Sequence, residues 1–183
     1  MAQLGSLFTT LLEQQKKSSD SLPPVDKWAP PFCGDMDLVI RRDGAWVHQG
    51  DPIKREALVK LFSTVLKREE DEYFLVTPVE KLRIRVECAP FLVVDVKRCR
   101  QGDQSALLFT TNTGDQVIAS ADNPIWMQTL QSEALPFITV RSNLPGLLNR
   151  AVYYQLAEWA EYQLLEGQQV GGVTSLGAFF PLE

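Results

Sequence analysis

A single histidine, His48, stands in 183 residues, and Cys33, Cys88 and Cys99 are too widely spaced to form the close cysteine pair of a structural zinc site. Metal is therefore set aside. His48 would be the only base for a Ser-His-Asp triad, and the chain has neither a G-x-S-x-G elbow nor a phosphate-binding glycine loop. None of these patterns implies a cofactor. No apolar run approaches the roughly 20 residues of a membrane span. The stretch Leu4 to Leu12 has no preceding Lys or Arg and no small-residue cleavage site after it, so it is not a secretion signal. An odd number of scattered cysteines fits reduced thiols better than a disulfide framework, and the expected compartment is the cytoplasm, with no membrane partner. Lys and Arg are absent after Arg150, and 18 basic against 23 acidic side chains leave a charge of −5. A broad stripe for tracking nucleic-acid phosphates is missing.

What is present is the composition of a folded protein, with 45% hydrophobic and 22% charged residues and scattered Gly and Pro. Leu4, Leu7, Phe8, Leu11 and Leu12 make one apolar stripe of an opening helix. Four prolines between Ser18 and Cys33 (Pro23, Pro24, Pro30 and Pro31) predict an extended connector, which Trp28 and Phe32 pin to a core. Met36 to Ile40, the turn Arg42-Asp43-Gly44 and Ala45 to His48 read as a hairpin. A helix starts at Asp51-Pro52, buries Ile53, Ala57, Leu58, Leu61, Phe62, Val65 and Leu66, and ends in the charge run Lys67 to Glu72.

After Glu72 seven short β-rich runs follow: Tyr73 to Thr77, Leu82 to Glu87, Phe91 to Arg98, Ala106 to Thr111, Gln116 to Ser120, Ile125 to Thr129 and Phe137 to Arg141. Leu144, Leu147, Leu148, Ala151, Val152, Leu156 and Trp159 then give the stripe of a long helix with Pro145 in its first turn. The expectation is an α+β protein. Residues 1–72 form an N-terminal helix, connector and hairpin-plus-helix unit. Residues 73–183 form a seven-stranded pleckstrin-homology-like barrel capped by a C-terminal helix. A faint echo links Leu38 to Leu66 with Phe137 to Trp159, Arg55-Glu56-Ala57-Leu58 matching Asn149-Arg150-Ala151-Val152.

The strongest polar signal is Lys81-Leu82-Arg83-Ile84-Arg85-Val86. Strict alternation puts three cations on one strand face and three aliphatics on the other. Residues 81–100 hold six basic and two acidic side chains, a surplus suited to a small anionic ligand, although a solvated or edge-guarding face has the same pattern. Trp46, His48 and Arg55 cluster in sequence and supply an aromatic face, a hydrogen-bonding ring and a cation near a helix start; a packed hairpin with a satisfied histidine is the plainer account. The candidate ligand residues are thus Trp46, His48, Arg55, Lys81, Arg83 and Arg85. Cys33, at the end of the connector, is the candidate reactive thiol, or else a small buried hydrophobe.

The segments Trp28-Ala29-Pro30, Phe32-Cys33-Gly34-Asp35, Arg42-Asp43-Gly44-Ala45-Trp46, Gly50-Asp51-Pro52-Ile53, Leu61-Phe62, Leu75-Val76-Thr77-Pro78-Val79-Glu80-Lys81 and Ala89-Pro90-Phe91 carry a resemblance. In their order they resemble the uncharacterised bacterial domain-of-unknown-function family 1285, from about Leu22 to Phe180. The resemblance implies duplicated structural units, a C-terminal pleckstrin-homology-like domain, and a cleft between domains that takes a nucleotide-like ligand in signalling. It brings no enzymatic activity. Glu87-Cys88 and Val173-Thr174-Ser175 depart from the family pattern. The combined expectation is a cytoplasmic, non-enzymatic protein binding a small anionic or nucleotide-like ligand between its domains. Two alternatives stand beside it: an adaptor whose barrel surface meets a signalling protein, and a thiol-based sensor or enzyme using Cys33.

Overall fold

The computed structural model describes residues 2–17 and 21–183. It divides into two compact units, Met1–Glu87 and Cys88–Glu183. The first opens with helix α1 (Ala2–Lys17), whose Leu7 and Leu11 are buried as the apolar stripe requires. Residues 18–20, the start of the expected connector, lie outside the described residues. A short 3-10 turn, Val25–Lys27, breaks the connector. Strands β1 (Phe32–Ile40), β2 (Trp46–His48) and β3 (Asp51–Pro52) precede helix α2 (Glu56–Ser63), and β4 (Leu66–Glu69), β5 (Glu72–Val76) and β6 (Lys81–Val86) follow it.

The hairpin forms as expected: Ile40 faces Trp46, Gly44 takes φ 86°, and the Asp43 side chain accepts from the Ala45 amide at 3.0 Å. The helix is shorter than its periodicity predicted. Asp51-Pro52 pairs with β2 instead of opening a helix, and α2 ends at Ser63 with the Thr64 amide turned back onto the Leu61 and Phe62 carbonyls. The charge run 67–72 is a β4–β5 hairpin whose turn uses Glu70 at φ 55°.

The second unit holds β7 (Phe91–Gln101), β8 (Gln104–Thr111), β9 (Gln116–Ile118), β10 (Ile125–Leu130), β11 (Glu133–Arg141), β12 (Leu144–Leu148), helix α3 (Arg150–Trp159), β13 (Glu161–Leu165), β14 (Gln168–Ser175) and β15 (Ala178–Pro181). The strands make sheets of six, six and three, so the expected seven-stranded barrel is corrected. Its first two members, β5 and β6, belong to the first sheet because β6 pairs with β1 and not with β7. The long C-terminal helix is corrected too. Leu144–Leu148 is a strand buried on both faces, whose unbroken apolar run mimics a helical stripe. The helix starts only after Asn149, whose side chain accepts from the Val152 amide at 2.8 Å. The strands beyond Trp159 were not foreseen.

The two six-stranded sheets share one plan. The first runs β3-β2-β1-β6-β5-β4 and the second β9-β8-β7-β12-β11-β10; each joins two antiparallel three-stranded meanders through a central parallel pair, β1 with β6 and β7 with β12. The duplication therefore equates residues 32–86 with 91–148. The echo noticed in sequence reflects a smaller likeness: Arg55 and Asn149 both sit at the N-cap of a helix. In the second unit, β14 and β15 lie against β8 and β10, and α3 lies against β7. A buried Ser175 hydroxyl donates to the Ala119 carbonyl at 2.7 Å and accepts from the Leu107 amide at 2.9 Å.

Two glycines in this unit have no room for a side chain. A Cβ on Gly146 would meet Val140 and Val93 methyls at 2.9 and 3.0 Å, whereas one on Gly172 would meet the Phe180 carbonyl oxygen at 2.4 Å and the Phe179 ring at 2.5 Å. Methyls can shift more easily than backbone. Gly172→Ala is therefore expected to cost about 2–3 kcal/mol and Gly146→Ala about 1 kcal/mol, read from urea midpoints at unchanged slope; equal losses would contradict this packing.

Candidate functional site

Strand parity divides the first sheet into two faces. Leu38 lies opposite His48 and Ile40 opposite Trp46, on the face that also buries Leu75, Leu82 and Ile84. Asp35 lies opposite Arg83 and Val39 opposite both Arg85 and Val47, on the other face. Alternation in β6 is as expected, with Leu82 and Ile84 buried and Lys81, Arg83 and Arg85 directed the other way.

The cations of that polar face are largely committed to neighbouring carboxylates. Arg83 donates from Nε and Nη2 to the two Asp35 oxygens at 2.6 and 3.1 Å and from Nη1 to Glu72 at 2.6 Å, tying β1, β6 and β5 together. Lys81 donates to Glu69 at 2.8 Å, and Lys67 reaches the same carboxylate at 3.4 Å. The Lys81 ammonium lies 4.8 Å from the Phe74 ring centroid, and the Arg83 guanidinium 5.7 Å from that of Phe32. The connector is anchored here as well: Lys67 donates to the Trp28 carbonyl at 3.2 Å, and Phe32 packs edge-on against Phe74. The expected cationic strip is thus a ladder of alternating charge. Its carboxylates were legible only in part, since Asp35 and Asp37 alternate with buried Met36 and Leu38 but their pairing depends on strands distant in sequence.

Beside the ladder runs an open groove of about 960 Å3. Val39 and Val47 belong to its floor, Arg41 and Arg85 to its basic rim, and Asp37 and Glu87 to its acidic rim. Among the described residues Arg41 and Arg85 have no ion pair. Glu87 accepts from the Arg42 amide at 2.9 Å.

Of the six candidate ligand residues, the structure brings Arg83 and Arg85 to this groove and leaves Lys81 beside Glu69, outside its lining. Trp46 is 1% exposed on the opposite face, closed to a stacking ligand, and its buried Nε1 has no hydrogen-bond partner among the described residues. His48 is half-buried on that same face, and Arg55 is exposed at the N-cap of α2. All six belong to the first unit. Cys33 is exposed, and its polar partner among the described residues is the Pro31 carbonyl, to which Sγ donates at 3.3 Å. A carbonyl does not activate a thiol as a neighbouring cation does.

Two family descriptions match the chain: "Domain of unknown function (DUF1285), N-terminal domain" over residues 23–89, and "Protein of unknown function (DUF1285), C-terminal domain" over residues 90–182. The chain belongs to the DUF1285 family. A DUF1285 protein of known crystal structure from Silicibacter pomeroyi DSS-3 is similar at 45% identity and a TM-score of 0.82, covering 94% of this chain and 93% of that one. Another, from Shewanella baltica OS155, is similar at 31% identity and a TM-score of 0.53, covering 67% of this chain and 91% of that one. No curated protein matches. In this DUF1285 chain, no helix of the described residues is long and apolar enough to cross a membrane.

The hydrogen bond from Arg83, more than its charge, holds the Asp35 carboxyl below the ordinary carboxylate range against the opposing effect of burial. Lys81 does the same for Glu69, chiefly by its hydrogen bond, and Arg83 in turn holds its proton more firmly. Lowered folded-state values mean that this stabilisation is complete above the ordinary carboxylate range and is lost as pH falls through the lowered values. The pair is half open to water, so its net effect on stability at pH 7 is small. Arg83→Ala is expected to raise the Asp35 pKa towards its ordinary value in a carboxyl NMR titration and to flatten the acid-side fall of Tm. An Asp35 titration identical in both proteins would rule the contact out in solution.

Proposed function

We propose that this protein is a ligand-binding protein whose first unit takes a small molecule in the open groove of its sheet. The observation that carries the reading is the presence, beside Val39 and Val47, of two guanidinium groups, Arg41 and Arg85, that have no ion pair among the described residues, next to the paired Arg83. Such groups make charge-assisted bonds to a phosphate or carboxylate. The same lining includes Asp35, Asp37, Asp71, Glu72 and Glu87 against Arg41, Arg83 and Arg85. A dense polyanion meets repulsion there. The ligand chemistry that fits is nucleotide-like in a restricted sense: one anionic group for the arginines, and N–H donors of a base or amine for the carboxylates.

The reading does not require chemistry on the ligand, and a signalling role follows if occupancy is what the protein reports. The three free thiols favour a reducing, cytoplasmic compartment. Calorimetric titration of the full chain with nucleoside monophosphates, triphosphates and cyclic dinucleotides tests the proposal. A monophosphate or cyclic form is expected to bind better than a triphosphate, and Arg85→Ala to weaken binding at least about 10-fold, or about 1.4 kcal/mol. Arg55→Ala, at the helix cap, is expected to leave affinity unchanged. Silence with every ligand, or equal losses for Arg85→Ala and Arg55→Ala, would refute the groove as the site.

A further inference from the structure

The third sheet ends on an edge with no guard. Strand β13 pairs with β14 on one side only, in continuous register from Glu161 opposite Gly172 to Leu165 opposite Gln168. Every residue from 161 to 169 is exposed, so both faces of the strand are open. Tyr162 at 71% and Leu164 at 72% exposure are among the most exposed large hydrophobic residues of the chain, and they share one face. Edge strands are normally protected by shortness, Lys, Pro or a bulge. Other edge strands carry such a device or lie against a neighbour: β3 is two residues long and ends in Pro52, β4 carries Lys67 and Arg68, and β10, which has no Lys, Arg or Pro, lies against β15. Strand β13 contains no Lys, Arg or Pro and has no bulge.

We propose that two copies of this chain associate through β13, edge to edge and antiparallel, about a two-fold axis at Gln163. The register follows from the hairpin. Its turn residues, Glu166 and Gly167, take φ 49° and 83°, the left-handed pair of a two-residue type I′ turn, which makes Leu165 and Gln168 the hydrogen-bonded closing pair. Alternation along the ladder then turns the backbone N–H and C=O of Leu164 and Tyr162 outward. Antiparallel pairing centred on Gln163 sets Tyr162 of one copy opposite Leu164 of the other, twice. Those are the residues whose backbone groups are free, so four hydrogen bonds form without a register shift.

The side chains agree with this register. The tyrosine of one copy meets the leucine of the other on the apolar face, and the two Glu161 carboxylates fall at opposite ends, each across from a Leu165. A second copy is therefore self-complementary here in hydrogen bonding and apolar contact, and the register keeps the two like-charged Glu161 side chains apart. A five-residue strand buries less area than a permanent dimer needs, so the association is reversible.

Sedimentation velocity of the full chain from about 5 μM to about 1 mM reads it directly. The average mass is expected to rise with concentration from 20.6 kDa towards twice that value. Gln163→Lys and Gln163→Glu each put like charges face to face across the axis, and each is expected to weaken association about 5-fold or more, while an equimolar mixture of the two recovers it. Leu164→Pro removes one outward N–H without touching the β14 ladder and is expected to lower association, with circular dichroism unchanged. A chain that stays monomeric throughout, or charge variants that associate like the parent and show no gain on mixing, would overturn the proposal and leave this edge to an extended segment of another protein.

Discussion

Everything in both large sheets depends on one long-range pairing, the parallel contact between the first and last strands of each meander pair. In the first unit β1 must find β6 across some forty intervening residues, and in the second β7 must find β12. Without that contact each half is a three-stranded meander with one face poorly covered, which is marginal in water. With it, Leu38, Ile40, Leu82 and Ile84 come together in one buried layer. Arg83 reinforces the seam from the other face, because its guanidinium holds Asp35 on β1 and Glu72 on β5 at once. A planar five-donor group suits that three-strand clamp in a way a lysine would not.

The clamp also decides what the polar face can do. Carboxylates on the flanking strands neutralise Arg83 and Lys81, so a sequence-local surplus of positive charge does not become a positive surface. Arg41 and Arg85, which have no ion pair among the described residues, line the groove with Val39 and Val47. Trp46 fills the core opposite Ile40, while Val47 beside it faces the groove. One hairpin thus supplies both a core anchor and a groove wall through the two-residue period of a strand.

Local signals were legible from the residues alone. The Asp43-Gly44 turn and the alternation of Lys81 to Val86 appear as read, and of the α1 stripe Leu7 and Leu11 are buried while Leu12 is exposed. The sequence does not state which strands are neighbours, and the misreadings come from that. Trp46 and Arg85 belong to one candidate set in the sequence, yet the register assigns them to opposite sides of one sheet. Leu144 to Leu148 was read as helix because a strand covered on both faces loses its alternation. The strands past Trp159 are announced by Glu166-Gly167 and Leu176-Gly177, turn signals at regular spacing that the acidic, cation-poor composition of that region obscured. The seven β-rich runs were counted correctly as strands, but two of them serve the earlier unit.

The order in which the chain leaves the ribosome gives the parallel seam a further meaning. Phe32 to Ile40 emerges early, but its parallel neighbour is the last strand of its sheet to be made, and the same delay recurs between Phe91 and Leu148. Each half of the nascent protein therefore waits with one edge of its first strand unpaired until the closing strand of its sheet is made, a window in which that edge can meet other chains. Repeating the plan twice, each with its own closing strand, confines that window to one half at a time.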